Sequence, residues 1–428
     1  MKKLLLINDT VVNKITYYHL AAFVAALPFD LFYSEIILVS FGLHTIIHTR
    51  AAKLKNIFSK PFLILVAFYL LALIAVLYST DKKAAFSEAG KQSAIIILPV
   101  LFSLIELDLE KYKLHLFHIF GLSCVVAIAY LYINAFVTIK GFHLPLSVMF
   151  TLPFMNHNFA LPLAMHATYL AAYCAFAVAV FLFLLFKDNN MIAKSFYAVA
   201  ILILLAAIIQ LSSRAVFIAF LIVLNIGFPF LLFKGRKRIF FLITASVISI
   251  VSLTAIYSID AFKERYISNL KTDLSNEVKI IENTEPRASR WAAIMELVKE
   301  SPVIGYGNGS EIPLLKEKYY EKGMYISYLN ELNSHNEYLS ILIKMGIIGL
   351  AFFGYVLYFG FSRAIQNKDP LFLSFMIIIT VVCCSENFLD LNKGIFFYSF
   401  FMSFFSLAGT TEAVAATALI PKQATVPE

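Results

Sequence analysis

Apolar residues fall in long runs along this chain, and polar residues gather in the gaps between them. A helix needs roughly 20 mostly apolar residues to cross about 30 Å of hydrocarbon. Twelve stretches meet or approach that length: about 15–29, 32–48, 60–79, 92–106, 114–138, 162–186, 194–211, 214–233, 239–258, 337–362, 370–386 and 394–410. The first two are cramped around Pro28-Phe29-Asp30, where a single bent helix would reduce the total to eleven. Only Ser212-Ser213 separates the seventh from the eighth. The pattern predicts an all-α polytopic membrane protein with about 12 transmembrane helices.

Composition closes the other possibilities. Of 428 residues, 60% are hydrophobic and 14% charged. Soluble domains hold roughly 45–50% apolar and about 25% charged residues, and a single core stops growing near roughly 250–300 residues. A soluble, disordered or fibrous chain is thereby excluded. Cys124, Cys174, Cys383 and Cys384 all sit in apolar runs without a CxxC spacing, so neither a disulfide framework nor a zinc site is expected. Only four apolar residues, Leu4 to Ile7, precede Asn8. That is too short for the core of a cleaved signal peptide, so the spans themselves carry the targeting.

Net charge is +8, which in a soluble protein would suggest nucleic acid. Here position matters more than the sum, because basic residues collect in cytoplasmic loops. With twelve spans and an inside N-terminus, the inside segments hold 18 Lys and Arg and the short outside loops hold 6. Both termini are therefore expected in the cytoplasm. The chain divides into nine spans over 1–258, an outer loop over 259–336, three spans over 337–410 and a small polar tail over 411–428. No internal repeat is evident.

The loop of 78 residues is too long for a passive connection. Its 10 basic and 12 acidic residues nearly cancel. Thr284 is placed to cap a helix with Pro286 in its first turn. Trp291, Ile294, Met295 and Val298 then make an apolar stripe at helical spacing, and Ser301-Pro302 ends it.

Candidate chemistry gathers at the outer helix ends. Arg214 opens an apolar helix, either snorkelling to lipid head groups or presenting its planar guanidinium to phosphate. Arg287 and Arg290 are three apart on the loop helix and share a face, which is either solvated or able to embrace a diphosphate. His335 closes the loop beside Asn336. An imidazole titrates near neutrality and accepts a proton from a hydroxyl, help worth roughly 10²–10⁴ in rate; the alternatives are an interfacial or capping role, and Asn336 itself reads as a cap. His157 and His166 lie outside and are placed to line a site. Glu386, at the end of the eleventh run, either orients a cation or a histidine or is a plain loop acid. Tyr306, Tyr319, Tyr320, Tyr325 and Tyr328 either stack on sugar rings or anchor at the interface. No Asp-x-Asp, Gly-x-x-x-x-Gly-Lys or His-Glu-x-x-His occurs, so nucleotide-sugar transfer, ATP hydrolysis and zinc hydrolysis lose support.

Several of these positions, in this order, resemble the O-antigen ligase family, which shares a region with O-antigen polymerases and some bacterial O-oligosaccharyltransferases. They are Leu211-Ser212-Ser213-Arg214 opening a helix, Arg287-x-x-Arg290-Trp291, Ile304-Gly305-Tyr306-Gly307-Asn308-Gly309, and His335-Asn336 followed by Gly346-Ile347-Ile348-Gly349. The resemblance covers roughly 200–410. It departs at Leu350-Ala351, where some enterobacterial ligases carry a polar pair.

The resemblance implies a GT-C type membrane glycosyltransferase in the bacterial inner membrane. It implies a glycan donor on undecaprenyl diphosphate, and lipid A–core or another hydroxyl as acceptor at the periplasmic face. Inverting chemistry without metal or cofactor is implied as well. Arg214, Arg287 and Arg290 would bind the diphosphate and His335 would activate the acceptor; Glu386 matches a family acid only loosely. The partners expected are the lipid-linked donor, the acceptor and membrane lipids, with no nucleic acid. The physics agrees: near a protein surface one charge pair at 4 Å is worth roughly 4 kcal/mol, so arginines facing the leaving group can matter more than the base. Glycan polymerisation and protein O-glycosylation fit the same residues. From another class, so does a lipid-linked glycan transporter, although transporters often show repeats.

Overall fold

The apolar runs become helices because hydrocarbon offers no partner to a backbone N–H or C=O, and a helix satisfies them all within one segment. The computed structural model describes residues 6–274 and 285–408. In chain order its main helices are α1 (Val11–Ala26), α2 (Leu31–His48), α3 (Lys60–Tyr78), α4 (Lys82–Lys91), α5 (Ala94–Leu104), α6 (Leu109–Gly141), α7 (Ala167–Lys187), α8 (Met191–Gln210), α9 (Arg214–Leu232) and α10 (Gly235–Ser258). The loop region holds α11 (Arg287–Glu300) and α12 (Glu311–Glu321), and the chain continues through α13 (Glu337–Gln366), α14 (Pro370–Val382) and α15 (Asn392–Leu407). Among the described residues nine helical stretches are long and apolar enough to cross a membrane, α4 and α5 counting as one, and there is no strand. The shorter α1, α14 and α15 pack against them.

Several boundaries move from the sequence expectation. The run 92–106 is preceded by α4, so the polypeptide bends at Gln92-Ser93 before α5. α6 spans 33 residues, reaching beyond 114–138 at both ends. The run 370–386 stops being helical at Val382, which leaves Glu386 in the following turn. Thr284, Lys2, Lys3 and the tail 411–428 lie outside the described residues.

α7 is the axis of the bundle. Ala167, Ala171, Ala172, Ala175, Ala177 and Ala179 are all buried, and small side chains let neighbouring backbones approach closely where lipid provides no hydrophobic drive. Aromatic rings fill the remaining space. Phe176 of α7 meets Phe401 of α15 at 4.7 Å between centroids, and Phe120 of α6 meets the same ring at 5.1 Å. By contrast α2 and α10 leave most of their apolar side chains uncovered, as lipid-facing helices do.

The loop region has its own small core. Ala293, Ile294, Leu297 and Val298 of α11 pack with Leu315 and Tyr319 of α12, and Ile343 of α13 completes the cluster. Met295, read as part of the stripe, is exposed, and Ala293 and Leu297 take its place. Pro286 stands just ahead of α11 as its cap position, since the helix begins at Arg287. Of the tyrosines, Tyr319 is wholly buried, whereas Tyr320 and Tyr325 are exposed.

A break in α13 stitches this region to the bundle. Gly346 has φ of +60° inside the helix, and a Cβ there would collide with the Val303 backbone. Only glycine allows that conformation and that approach together. The freed helix groups bond instead to the strap 302–307: Tyr306 N donates to Ile343 O at 2.8 Å, Gly307 N to Lys344 O at 2.9 Å and Ile347 N to Pro302 O at 2.9 Å. Gly305, at φ +67°, is pressed equally closely against Ile343 and Lys344.

Candidate active site

Two arginines from separate elements meet at one carboxylate, and a third lies near enough to both to repel them. The turn before α9 places Ser212 at φ +49°, and Arg214 starts the helix. A helix N-terminus already favours negative charge. Arg214 Nη2 pairs with Asp273 Oδ2, while Arg214 Nη1 is buried without a hydrogen-bond partner among the described residues. Arg287, the first residue of α11, brings Nε to 3.8 Å from the same Asp273 oxygen and donates from Nη1 to Ser385 O at 3.0 Å. The third is Arg265. It sits on a π-helical turn, Glu264–Ser268, within an arm over 260–273; such turns often occur at functional sites. Burial and repulsion from Arg214 and Arg287 disfavour its charge, opposed by Asp273 and Glu386, and its Nε also lacks a partner among the described residues.

Arg290 faces elsewhere. It is 4% exposed and donates to Asn333 O at 3.3 Å. Its neighbour Trp291 donates from Nε1 to Ser334 O at 2.9 Å. The two therefore hold the peptides that lead into His335, and of the pair Arg287–Arg290 only Arg287 reaches Asp273.

His335 adopts φ of +45°, a left-handed backbone that costs a non-glycine residue roughly 1–3 kcal/mol and is often found at functional sites. Its Nδ1 lies 3.4 Å from Glu386 Oε2, and Glu386 Oε1 accepts from Thr168 Oγ1 at 3.3 Å. Burial pushes the Glu386 carboxyl up, but the hydrogen bond and charge of His335, with His166 and Arg287, outweigh it and hold the group down at about 2. His166 caps α7 by accepting from Thr168 N at 3.3 Å, and its ring meets His157 edge-on at 4.2 Å. Burial, then His166, pushes His157 down to about 4; burial lowers His166 too, with Glu386 opposing. Asn336 caps α13, accepting from Leu339 N at 3.1 Å, and ties back to Cys384 O at 3.2 Å.

Behind this dyad lies a buried polar network. Asn387 Oδ1 accepts from Ser334 Oγ and from Asn336 N, each at 2.9 Å, so one amide grips both sides of His335. Its Nδ2 donates to both Glu311 oxygens at 3.1 Å. Glu311 also accepts from Ser334 N at 2.8 Å and from Ser340 Oγ. Lys344, on the turn before the Gly346 break, balances these acids: it lies 3.3 Å from Glu311, 2.9 Å from Asp390 and 2.6 Å from Glu88. Buried charges persist when paired and hydrogen-bonded in this way. The network joins α4, α12, α13 and the turn after α14, which carries Glu386.

Two openings flank the site. An apolar groove of about 520 Å³ has Arg214 in its lining. Its walls include Phe217 and Ile218 of α9, Leu253 and Tyr257 of α10, and Tyr266 of the arm. A more polar cavity of about 380 Å³ is bounded by Asp30, Lys91, His166, Tyr169 and Asn392, so His166 forms a wall of it. The arrangement can bind an anion at the arginines, receive a lipid chain alongside, and remove a proton at His335.

Linear reading misses Arg265, Asp273, Asn387 and Lys344. Arg265 and Asp273 are two charges among the 22 of a balanced loop, with no spacing to single them out. Lys344 carried a signal: it is a lysine inside an otherwise apolar span, and such residues mark function or pairing.

Residues 198–354 match a family model described as O-Antigen ligase. That range contains Arg214, Arg265, Arg287, Arg290 and His335 and ends before Glu386. No curated protein matches the chain.

Proposed function

Since the chain carries an O-antigen ligase domain over residues 198–354, we propose that it moves a glycan from undecaprenyl diphosphate to an acceptor hydroxyl, with lipid A–core as the acceptor. The reaction belongs at the periplasmic face of the bacterial inner membrane, in a twelve-span GT-C type chain with both termini cytoplasmic and 259–336 outside. The observation that supports this reading most is the meeting of Arg214 and Arg287 on one carboxylate, with Arg287 also bonded to Ser385 beside the His335–Glu386 pair.

The donor's isoprenoid lies in the apolar groove and its diphosphate at Arg214 and Arg287. Glu386 holds the proton on His335 Nδ1, which leaves Nε2 to accept one. The acceptor oxygen attacks the anomeric carbon as His335 takes its proton. The bond from that carbon to the diphosphate oxygen breaks, and the electron pair leaves with the diphosphate. Arginines pre-placed where this charge grows stabilise the transition state more than the ground state. Attack from the face opposite the leaving group inverts the anomeric centre. The cavity beside His166 is the approach for the acceptor. Arg290 supports the His335 turn rather than touching the donor.

The test is complementation of a ligase-deficient strain, read from its lipopolysaccharide. The parent chain restores a glycan ladder on lipid A–core, and the His335→Ala and Arg287→Ala variants, made at equal level, do not. Equal restoration by His335→Ala would refute the base assignment. Long glycans left on undecaprenyl diphosphate would make the protein a polymerase.

A further inference from the structure

Asp273 stands where a phosphate oxygen would be expected. Its carboxylate pairs with Arg214 and lies 3.8 Å from Arg287, yet remains 23% exposed. One carboxylate leaves the cluster unsatisfied. Among the described residues Arg214 Nη1 and Arg265 Nε are buried and have no partner, and Arg265 forms no ion pair. Among the described residues the other acid acting on Arg265, Glu386, is already engaged by His335 and Thr168. Each guanidinium offers five donors, and a single carboxylate has two oxygens with which to answer three of them. A diphosphate carries more oxygens and more charge in a larger volume.

We propose that Asp273 is the resting counter-ion of the arginine cluster, that an incoming diphosphate displaces it, and that Arg265 is the third cation gripping the group that replaces it. The proposal rests on Arg214 and Arg287 being the donor's diphosphate ligands and adds how the site is held before the donor arrives. Three half-buried guanidiniums with no anion among them repel one another and resist burial; Asp273 relieves both costs. The consequence is a lower apparent affinity, because only the fraction of molecules in which Asp273 has let go is competent to bind. The same competition speeds release. The lipid diphosphate left after transfer has gained a terminal anionic oxygen and would otherwise be held more tightly than the donor.

The test uses the full-length chain in detergent and inorganic pyrophosphate as probe, followed by calorimetry. Asp273→Asn keeps the shape and removes the charge; it binds pyrophosphate about fivefold or more tighter than wild type, and Arg265→Ala binds about fivefold or more weaker. Asp273→Asn binding no tighter overturns the counter-ion role, and Arg265→Ala binding as well as wild type overturns the third cation. A reading that needs no variant is carbodiimide labelling of wild-type carboxylates, located by mass spectrometry. Saturating pyrophosphate raises labelling at Asp273 and leaves the exposed Glu331 unchanged; unchanged labelling at Asp273 overturns the proposal even where the variants fail to fold. Should wild type, Asp273→Asn and Arg214→Ala all bind no pyrophosphate, the donor-site reading itself falls. If wild type binds and Arg214→Ala does not, that reading stands whatever Asp273 does.

Discussion

Glu386 Oε2 lies 3.4 Å from His335 Nδ1, although 51 residues separate the two in sequence. In the proposed mechanism this carboxylate holds the proton on Nδ1 and leaves Nε2 free to accept one from a hydroxyl. Glu386→Gln is expected to lower kcat about a hundredfold and leave KM for the donor nearly unchanged, measured by glycan transfer with the purified chain. An unaltered kcat would mean that His335 works without its partner.

The same carboxylate predicts a pH signature in stability. Its folded value of about 2 lies below the ordinary 4.5, so its stabilising contribution is complete above the ordinary value and disappears as pH falls through the folded one. The difference in melting temperature between wild type and Glu386→Gln should therefore be larger at about pH 5 than at about pH 3. A difference no smaller at the lower pH would contradict the assignment.

Gly346 joins the loop region to the bundle, and Gly346→Ala is expected to separate them. The new Cβ meets the Val303 backbone, and the left-handed φ adds strain of about 1 kcal/mol or more. The expected readouts are a lower melting temperature in detergent and faster hydrogen exchange in 302–307, the strap bonded across the break.

Lys344 balances Glu88, Glu311 and Asp390 from a buried position. Removing one member of a buried charge network typically costs about 3–5 kcal/mol, so Lys344→Met should destabilise the chain strongly. Adding Glu311→Gln removes one of the stranded charges and should restore part of the loss, seen as a melting temperature between those of wild type and the single variant. Full additivity of the two losses would argue that Lys344 and Glu311 do not interact.

The two arginines of α11 show how far local pattern reaches. Spacing placed Arg287 and Arg290 on one helix face, and helix geometry does put them a turn apart. Yet Arg287 bonds to Ser385 and nears Asp273, whereas Arg290 turns into the packing beneath Asn333. The choice depends on where α11 docks, and that depends on Ile343 of α13 entering the loop's core. In the same way Met295 fits a helical stripe by number, but the docked helix buries Ala293 and Leu297 instead. Asn336 was readable as a cap because capping is set within four residues of chain.

What the amino-acid order determines alone is the class of the molecule: apolar helices, a long polar segment between them, and arginines and a histidine at helix ends. Hydrocarbon enforces this segment by segment, since each span must meet its own length and polarity requirement whatever its neighbours do. The tertiary structure alone decides that Arg214 and Arg287 share Asp273, that Arg265 lies near both arginines, that Glu386 faces His335, and that Lys344 and Asn387 hold the turn in place. Those are Coulombic and hydrogen-bonding relations between groups brought near by packing. Their strength depends on distance and burial and not at all on separation along the chain.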